Sequence, residues 1–323
     1  MKFLYWLETD TKSEDKVLED KFMSYKKAGI DTLLFEQTDK RNYELAKKIG
    51  LKTHRWKWTM NCPEKEIMDA HPEWYSINRE GKSCIEDPPY VNYYRWLCPN
   101  NEEATNYLIE KSKSIIQLDF VDGLHLDYIR YPDVILPVNL WDKYKIEQKE
   151  EYAKYDYCYC ENCLKKFEKE NGRKVNNKYP SEDLSWKAFR YNSISKVVNK
   201  IKKEIAPFGK PLSAAVFPTP DIAKRIVRQD WTTWDLDFVC PMIYHNFYQE
   251  ETPWIGQAVR EGVRNLCGKF PIYAGLFLSD FKSEEDLENG INLALTNGAK
   301  GISFFGKMKE STLTTLSKFK DKV

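Results

Sequence analysis

Along the chain, short apolar runs alternate with longer stretches in which apolar residues recur every three or four positions. The runs are KFLYWLE (2–8), DTLLFEQ (31–37), KTHRWKWT (52–59), VDGLHLDYI (121–129), PLSAAVFP (211–218), LDFVCPMIY (236–244), FPIYAGLFL (270–278) and GISFFG (301–306). Each has the length of a buried strand. The intervening helical patterns cover 14–28, 40–49, 101–117, 184–206, 222–229, 254–268, 284–297 and 310–320. The clearest of them places Leu184, Ala188, Tyr191, Ile194, Val198, Ile201 and Ile205 at helical spacing. Glycines 29, 50, 209, 268 and 298 stand where helices should end before the next strand.

Eight strand–helix units in sequence predict a single (β/α)8 TIM barrel spanning 1–323. A doubly wound sheet is the main rival, but its Gly-rich first turn is missing from WLETDTKSED. Two βα segments are much longer than the others, 60–100 after strand three and 131–183 after strand four. Both leave the barrel at the face where barrel enzymes do chemistry, so these excursions are expected to shape a substrate cleft.

Charge adds little direction. The chain carries 50 basic and 49 acidic residues, mixed along its length, which gives no field suited to nucleic acid. No apolar run is long enough to span a bilayer. The start, MKFLYWLETD, runs straight into the first strand, so the expectation is a cytoplasmic protein or one whose leader has been removed. The sequence leaves the oligomeric state open. Aromatics are more telling: they make up 14% of the residues, and many sit in loop-like segments, among them Trp58, Trp74, Tyr93, Tyr94 and Trp96. Such side chains suit a cleft that stacks sugar rings, so a carbohydrate is the expected partner, with no organic cofactor.

The stretch DGLHLDYIRYP (122–132) puts charge on a strand that ought to be buried. Strand alternation turns Gly123, His125 and Asp127 to one face and Leu124, Leu126 and Tyr128 to the other. With the apolar set against the helices, His125 and Asp127 point into the barrel and Asp127 reaches its C-terminal mouth. Arg130 is placed to hold Asp127 ionised. A buried structural Asp–Arg pair is the plainer alternative. Other strand ends contribute Glu8, Glu36, Trp58, Tyr244 and His245, with Asp280 after strand seven and Asp221 after strand five. Asp221 and Asp280 could equally cap the helices that follow.

The cysteines are unevenly distributed. Cys158, Cys160 and Cys163 form C-x-C-x2-C, a spacing that lets thiolates converge on one soft cation, and Cys98 is the best fourth candidate for a closed tetrahedral site. Reduced or disulfide-paired cysteines are the alternative. CPNNEEATNYL followed by CYCENCLKKFEKENG resembles the structural zinc site of family 42 β-galactosidases, which implies a structural Zn2+ held by these four residues.

A wider resemblance is to the family-10-like glycosyl hydrolases, bacterial barrel proteins. VDGLHLDYIRYP is similar to their strand-four signature, RQDWTTWDLDFVCPMIY (228–244) to a second passage, and residues 71–100 to a third. The resemblance implies hydrolysis of a glycosidic bond, with Asp127 and Arg130 at motif positions. Family 42 and its relatives place glutamates after strands four and seven, whereas this chain has DYIRYP and GLFLSD there, so that mechanism does not transfer. Asp127 is then the expected nucleophile or base. Glu36, flanked by Phe35, is the first choice for its acid partner, followed by Asp280, Asp221 and Glu8; Trp58, His125, Arg130, Tyr244 and His245 are expected to bind substrate. Two other functions fit the pattern: a non-catalytic carbohydrate-binding barrel, and a metal-dependent hydrolase of the amidohydrolase kind using His residues.

Overall fold

The computed structural model describes residues 2–176 and 178–320. Eight parallel strands run β1 (Lys2–Leu7), β2 (Ile30–Phe35), β3 (Lys52–Trp58), β4 (Gly123–Asp127), β5 (Leu212–Val216), β6 (Phe238–Pro241), β7 (Tyr273–Phe277) and β8 (Gly301–Phe305). The matching helices are α1 (Asp15–Lys27), α2 (Lys40–Lys48), α3 (Glu102–Ile116), α4 (Leu184–Ile205), α5 (Pro220–Val227), α6 (Trp254–Leu266), α7 (Glu284–Thr296) and α8 (Glu310–Ser317). Each strand pairs with its sequence neighbour, and β1 also pairs with β8, in the order β6-β5-β4-β3-β2-β1-β8-β7. The seam between β6 and β7 is held by bridges Val239–Ile272 and Met242–Gly275, which make the sheet a (β/α)8 barrel. Gly275 is needed there, since a Cβ would stand 2.7 Å from the Pro241 carbonyl oxygen.

The alternation read from sequence decides what faces where. Leu4, Trp6, Leu34, Ala215, Phe238, Cys240 and Tyr273 fill the barrel interior. Phe3, Leu33, Phe35, Leu124, Leu126 and Ala214 pack outward in the larger core beneath the helices. The strands are shorter than their apolar runs, because the ends of those runs bend away at the mouth to line it. β4, for example, closes at Asp127, and Tyr128 turns into the left-handed region at φ 48°.

The excursions are small structured units. The first contains a helix over Lys65–Ala70 and antiparallel bridges Asn61–Trp96, Tyr75–Leu97 and Ile77–Ser83. The second carries a helix over Glu161–Asn171 and is joined to the first by the Asn78–Tyr157 bridge. A buried ion network clamps it to the barrel helices. Asp156 accepts from Arg190 on α4 and from the Tyr159 hydroxyl, and lies 4.0 Å from Arg228, which donates to Glu151. Burial would push the Asp156 carboxyl up, but Arg190, Arg228 and the Tyr159 hydroxyl together hold it below the usual carboxylate range. No helix among the described residues is long and apolar enough to cross a membrane.

Candidate active site

At the C-terminal mouth lies a cavity of about 870 Å3, built from strand ends and roofed by both excursions. Glu8, Glu36, Trp56, Trp58 and Asp127 come from the ends of β1 to β4, while Phe217, Tyr244 and Phe305 come from the far side. Tyr90 and Tyr94 of the first excursion and Asp133, Leu136 and Tyr144 of the second complete the wall. These two walls are stitched together: the Tyr90 hydroxyl donates to the Asp133 carbonyl at 2.8 Å and accepts from Gln148 at 2.9 Å.

Asp127 sits at the floor, half-buried, with both oxygens engaged. The indole Nε1–H of Trp56 donates to Oδ2 at 2.8 Å, and the backbone N–H of Tyr128 donates to Oδ1 at 2.6 Å. Burial raises its carboxyl above the ordinary value; the two N–H donors and then Arg130 work against that rise. This corrects the expectation of a depressed carboxyl: Arg130 acts in the expected direction, but burial outweighs it. Arg130 is turned instead toward Asp133, 3.0 Å away, and donates to the Tyr131 carbonyl. Its guanidinium lies against the rings of Trp96 and Phe217, 4.9 and 5.0 Å from their centroids, so packing and the closer carboxylate fix it.

The other expected site residues divide into two groups. Glu8, Glu36, Trp58, Arg130 and Tyr244 share the cavity with Asp127. Tyr244 stacks on Phe305 at 5.9 Å, and burial, with the nearby charge of Asp127, keeps its hydroxyl protonated. His125, His245 and Asp280 do not line the cavity. His125 is wholly buried in the barrel below it, bonded through Nδ1 to the Ser213 hydroxyl at 2.8 Å and packed 5.6 Å from Trp6. Alternation points it inward as expected, but two residues deeper than Asp127 is core rather than cleft. His245 and Asp280 lie behind the wall, their nearest N and O atoms 4.0 Å apart, with the imidazole against Phe281. Burial lifts the Asp280 carboxyl to about 6. Neither Asp280 nor Asp221 is an N-cap: Ser283 caps α7 and Thr219 caps α5.

Two cavity carboxylates are committed elsewhere. Asp10 accepts from the Ser13 and Lys12 backbone N–H groups and the Ser13 hydroxyl, which hold it down to about 2. Asp133 is paired with Arg130. Glu36 and Glu8 make no side-chain hydrogen bond or ion pair among the described residues, and of the two only Glu36 is partly buried. The residue that sequence reasoning passed over is Trp56. It was visible as one of two tryptophans on β3, but nothing in the chain's pattern says which indole meets Asp127; the register pairs Asp127 with Trp58.

The cysteine cluster forms as expected. The sulfurs of Cys98, Cys158, Cys160 and Cys163 all lie within 4.8 Å of one another, and all but Cys160 are buried. Cys98 Sγ is 3.4 Å from Cys163 Sγ and 3.5 Å from Cys160 Sγ. Asn100 Nδ2 donates to Cys163 Sγ at 3.3 Å and the Ile77 backbone N–H to Cys158 Sγ at 3.5 Å, the kind of outer contacts that steady thiolate ligands. A buried, convergent set of four soft donors can hold a metal ion. The histidines do not converge in this way. His54 lines a separate cavity of about 430 Å3 at the opposite end of the barrel, His71 stacks on Trp74, and His125 and His245 are placed as above.

Residues 62–264, well over half of the chain, match the family model described as "Putative glycosyl hydrolase domain". The chain belongs to that family. No curated protein matches it in sequence. Among solved structures it is similar to the PgaB (BpsB) glycoside hydrolase domain from Bordetella bronchiseptica, with TM-score 0.71 and 11% identity over 99% of this chain and 98% of that one. The catalytic domain of β-amylase from Paenibacillus polymyxa gives 0.63 and 11%, covering 99% and 97%. α-L-Fucosidase isoenzyme 2 from Paenibacillus thiaminolyticus gives 0.64 and 13%, covering all of this chain and 49% of that one. At such identities the likeness is one of fold.

Proposed function

We propose that the protein hydrolyses a glycosidic bond in an oligo- or polysaccharide, with Asp127 as nucleophile or base and Glu36 as the acid. The observation that carries this reading is the placement of Asp127: a carboxylate at the C-terminal mouth of a barrel, gripped by two N–H donors, at the floor of an aromatic-walled cavity. Indole and amide N–H groups only donate, so the acceptor they prefer is the ionised carboxylate. That suits attack on the anomeric carbon or activation of a water. The acid must be a second carboxyl facing the same space. With Asp10 and Asp133 already bound to other partners and Glu8 exposed, Glu36 is the one left partly buried and uncommitted. Trp58, Tyr244 and Arg130 then line the substrate's path. A carboxyl separation of about 5 Å would give retention of configuration, and about 6.5–9.5 Å inversion. Membership in the glycosyl hydrolase family supports the reaction class, and the finer likeness to the family-10-like group rests on the strand-four motif.

The Cys98–Cys158–Cys160–Cys163 cluster fits Zn2+ in a closed site. Four thiolates satisfy its tetrahedral preference and leave no position for substrate, so the ion would pin the excursions and take no part in the chemistry. One zinc per chain by elemental analysis, lost in Cys163→Ser, is the expected result.

The test of the reaction is a panel of oligosaccharides scored for released reducing ends, with wild type and Glu36→Gln in parallel. Wild type should cleave at least one member. Glu36→Gln should lose that cleavage yet keep turnover of aryl glycosides whose leaving group needs no proton. Equal rates for both proteins on the unactivated sugar would remove Glu36 from the reaction. An inert wild type that still binds sugar would favour a non-catalytic carbohydrate-binding barrel.

A further inference from the structure

We propose that Trp56 is a positioning residue: its indole N–H, bonded to Asp127 Oδ2, locks the carboxylate's orientation toward the cavity and makes the direct side-chain contact that Arg130, turned to Asp133, does not. The inference rests on Asp127 being the working carboxylate and adds a residue to which nothing in the motif assigns a role.

A half-buried carboxylate at the floor of an aromatic cavity needs compensation for lost hydration. The usual source is a nearby cation, but Arg130 is committed to Asp133 and to the Tyr131 carbonyl. The charged side chains that share the cavity with Asp127 are Glu8, Asp10, Lys12 and Lys21 on and after β1, Glu36 after β2, Arg130 and Asp133 after β4 and Lys307 after β8, and tyrosines such as Tyr94, Tyr128 and Tyr244 complete its titratable lining. Among the described residues none of these side chains makes a hydrogen bond to Asp127; its only side-chain donor is Trp56, at 2.8 Å. The remaining contact is the Tyr128 backbone N–H, which donates to Oδ1 at 2.6 Å. The two donors grip opposite oxygens and leave the remaining lone pairs free for substrate. Trp56 is itself held in place, its ring 6.2 Å from that of Phe305 at 78°. The β3–β4 register explains the reach: Trp56 pairs with His125, one inward position below Asp127, so its indole must extend upward to meet the carboxylate.

Trp56→Phe removes the donor and keeps an aromatic ring. The readout is the titration of the Asp127 carboxyl carbon by 13C NMR, with the signal assigned by its loss in Asp127→Asn. Losing a hydrogen bond to a charged group should move the midpoint up by about one pH unit, a tenfold change in proton affinity. The direction discriminates, because a smaller side chain that only admitted water would move the midpoint down. An unchanged or lowered midpoint overturns the proposal. Should Trp56→Phe fail to fold, the wild type still decides: the Trp56 indole N–H resonance should shift with the Asp127 midpoint, and stay still in Asp127→Asn. An indole signal indifferent to that midpoint also overturns it. Both titrations are independent of hydrolysis, so an inactive protein would count against the proposed reaction and leave this inference standing. Where a glycoside is turned over, kcat should fall and the acidic limb of the pH profile should move upward in Trp56→Phe, with KM little changed.

Discussion

Asp156 offers the sharpest test of how the second excursion is fixed. Its side chain is 1% exposed, as are those of Arg190 and Arg228, and it is the carboxylate that Arg190 engages. Asp156→Ala leaves Arg190 buried with no carboxylate partner, and strands the Tyr159 hydroxyl that now donates to Asp156 at 2.6 Å. Breaking a buried pair by deleting one member costs about 3–5 kcal/mol. For a chain of 323 residues, at about 2.1 cal/mol/K per residue, that corresponds to a fall in Tm of about 4–7 °C. The exposed pair Lys65–Asp69 serves as control, and Asp69→Ala should leave the midpoint where it is. The sign of the pH dependence follows from the depressed carboxyl: Asp156 contributes fully above the unfolded-state value near 4, and that contribution fades as pH falls below it toward the folded value. The gap between wild type and Asp156→Ala should therefore be widest near neutrality and narrow below about pH 4. Thermal melts by circular dichroism from pH 7 downward measure it. An unchanged Tm, or a gap that does not respond to pH, would refute the reasoning.

Two further outcomes are expected. Gly123→Ala would place a Cβ 2.6 Å from the His54 ring, so it should cost about 1–3 kcal/mol in a denaturant melt, and the cost should shrink in a His54→Ala background. Asp280 has a folded value raised to about 6, so it destabilises the fold above that pH and has no such effect below its unfolded value near 4. Asp280→Asn keeps an acceptor for the Asn246 backbone N–H, now 3.3 Å away, and should raise Tm at pH 8 by up to a few degrees, with no gain near pH 4; a lower Tm at pH 8 would contradict this.

The barrel was legible because its signal is repeated eight times. Each apolar run is a strand buried on both sides, and each helix shows a wide apolar stripe, so small errors at the ends do not change the count. Alternation also carried real information at β4, where it placed Leu124 and Leu126 outward and Asp127 inward. Depth was harder to read. Period two tells which way His125 points, but not that the layer holding it is closed by Trp6. Pairing within the mouth was harder still. Arg130 lies near Asp127 in sequence, and its actual partner Asp133 is equally near, so only the three-dimensional course of the loop decides between them. Strand ends announced His245 and Asp280 as mouth residues, but the loops there turn their side chains behind the wall. The cysteines were legible because C-x-C-x2-C constrains its own geometry. Cys98 stands some sixty residues away in sequence, and only the fold brings its sulfur to 3.4 Å from that of Cys163.

The most direct measurement is hydrolysis by Asp127→Asn, on whichever oligosaccharide the wild type cleaves, alongside thermal melting and binding of the same sugar. The amide keeps an oxygen acceptor for one N–H donor, so the fold and the cleft should survive. Turnover should fall by about 10²–10⁴-fold while sugar binding changes little. A variant that melts like wild type and hydrolyses at the wild-type rate would show that the chemistry belongs to another carboxylate.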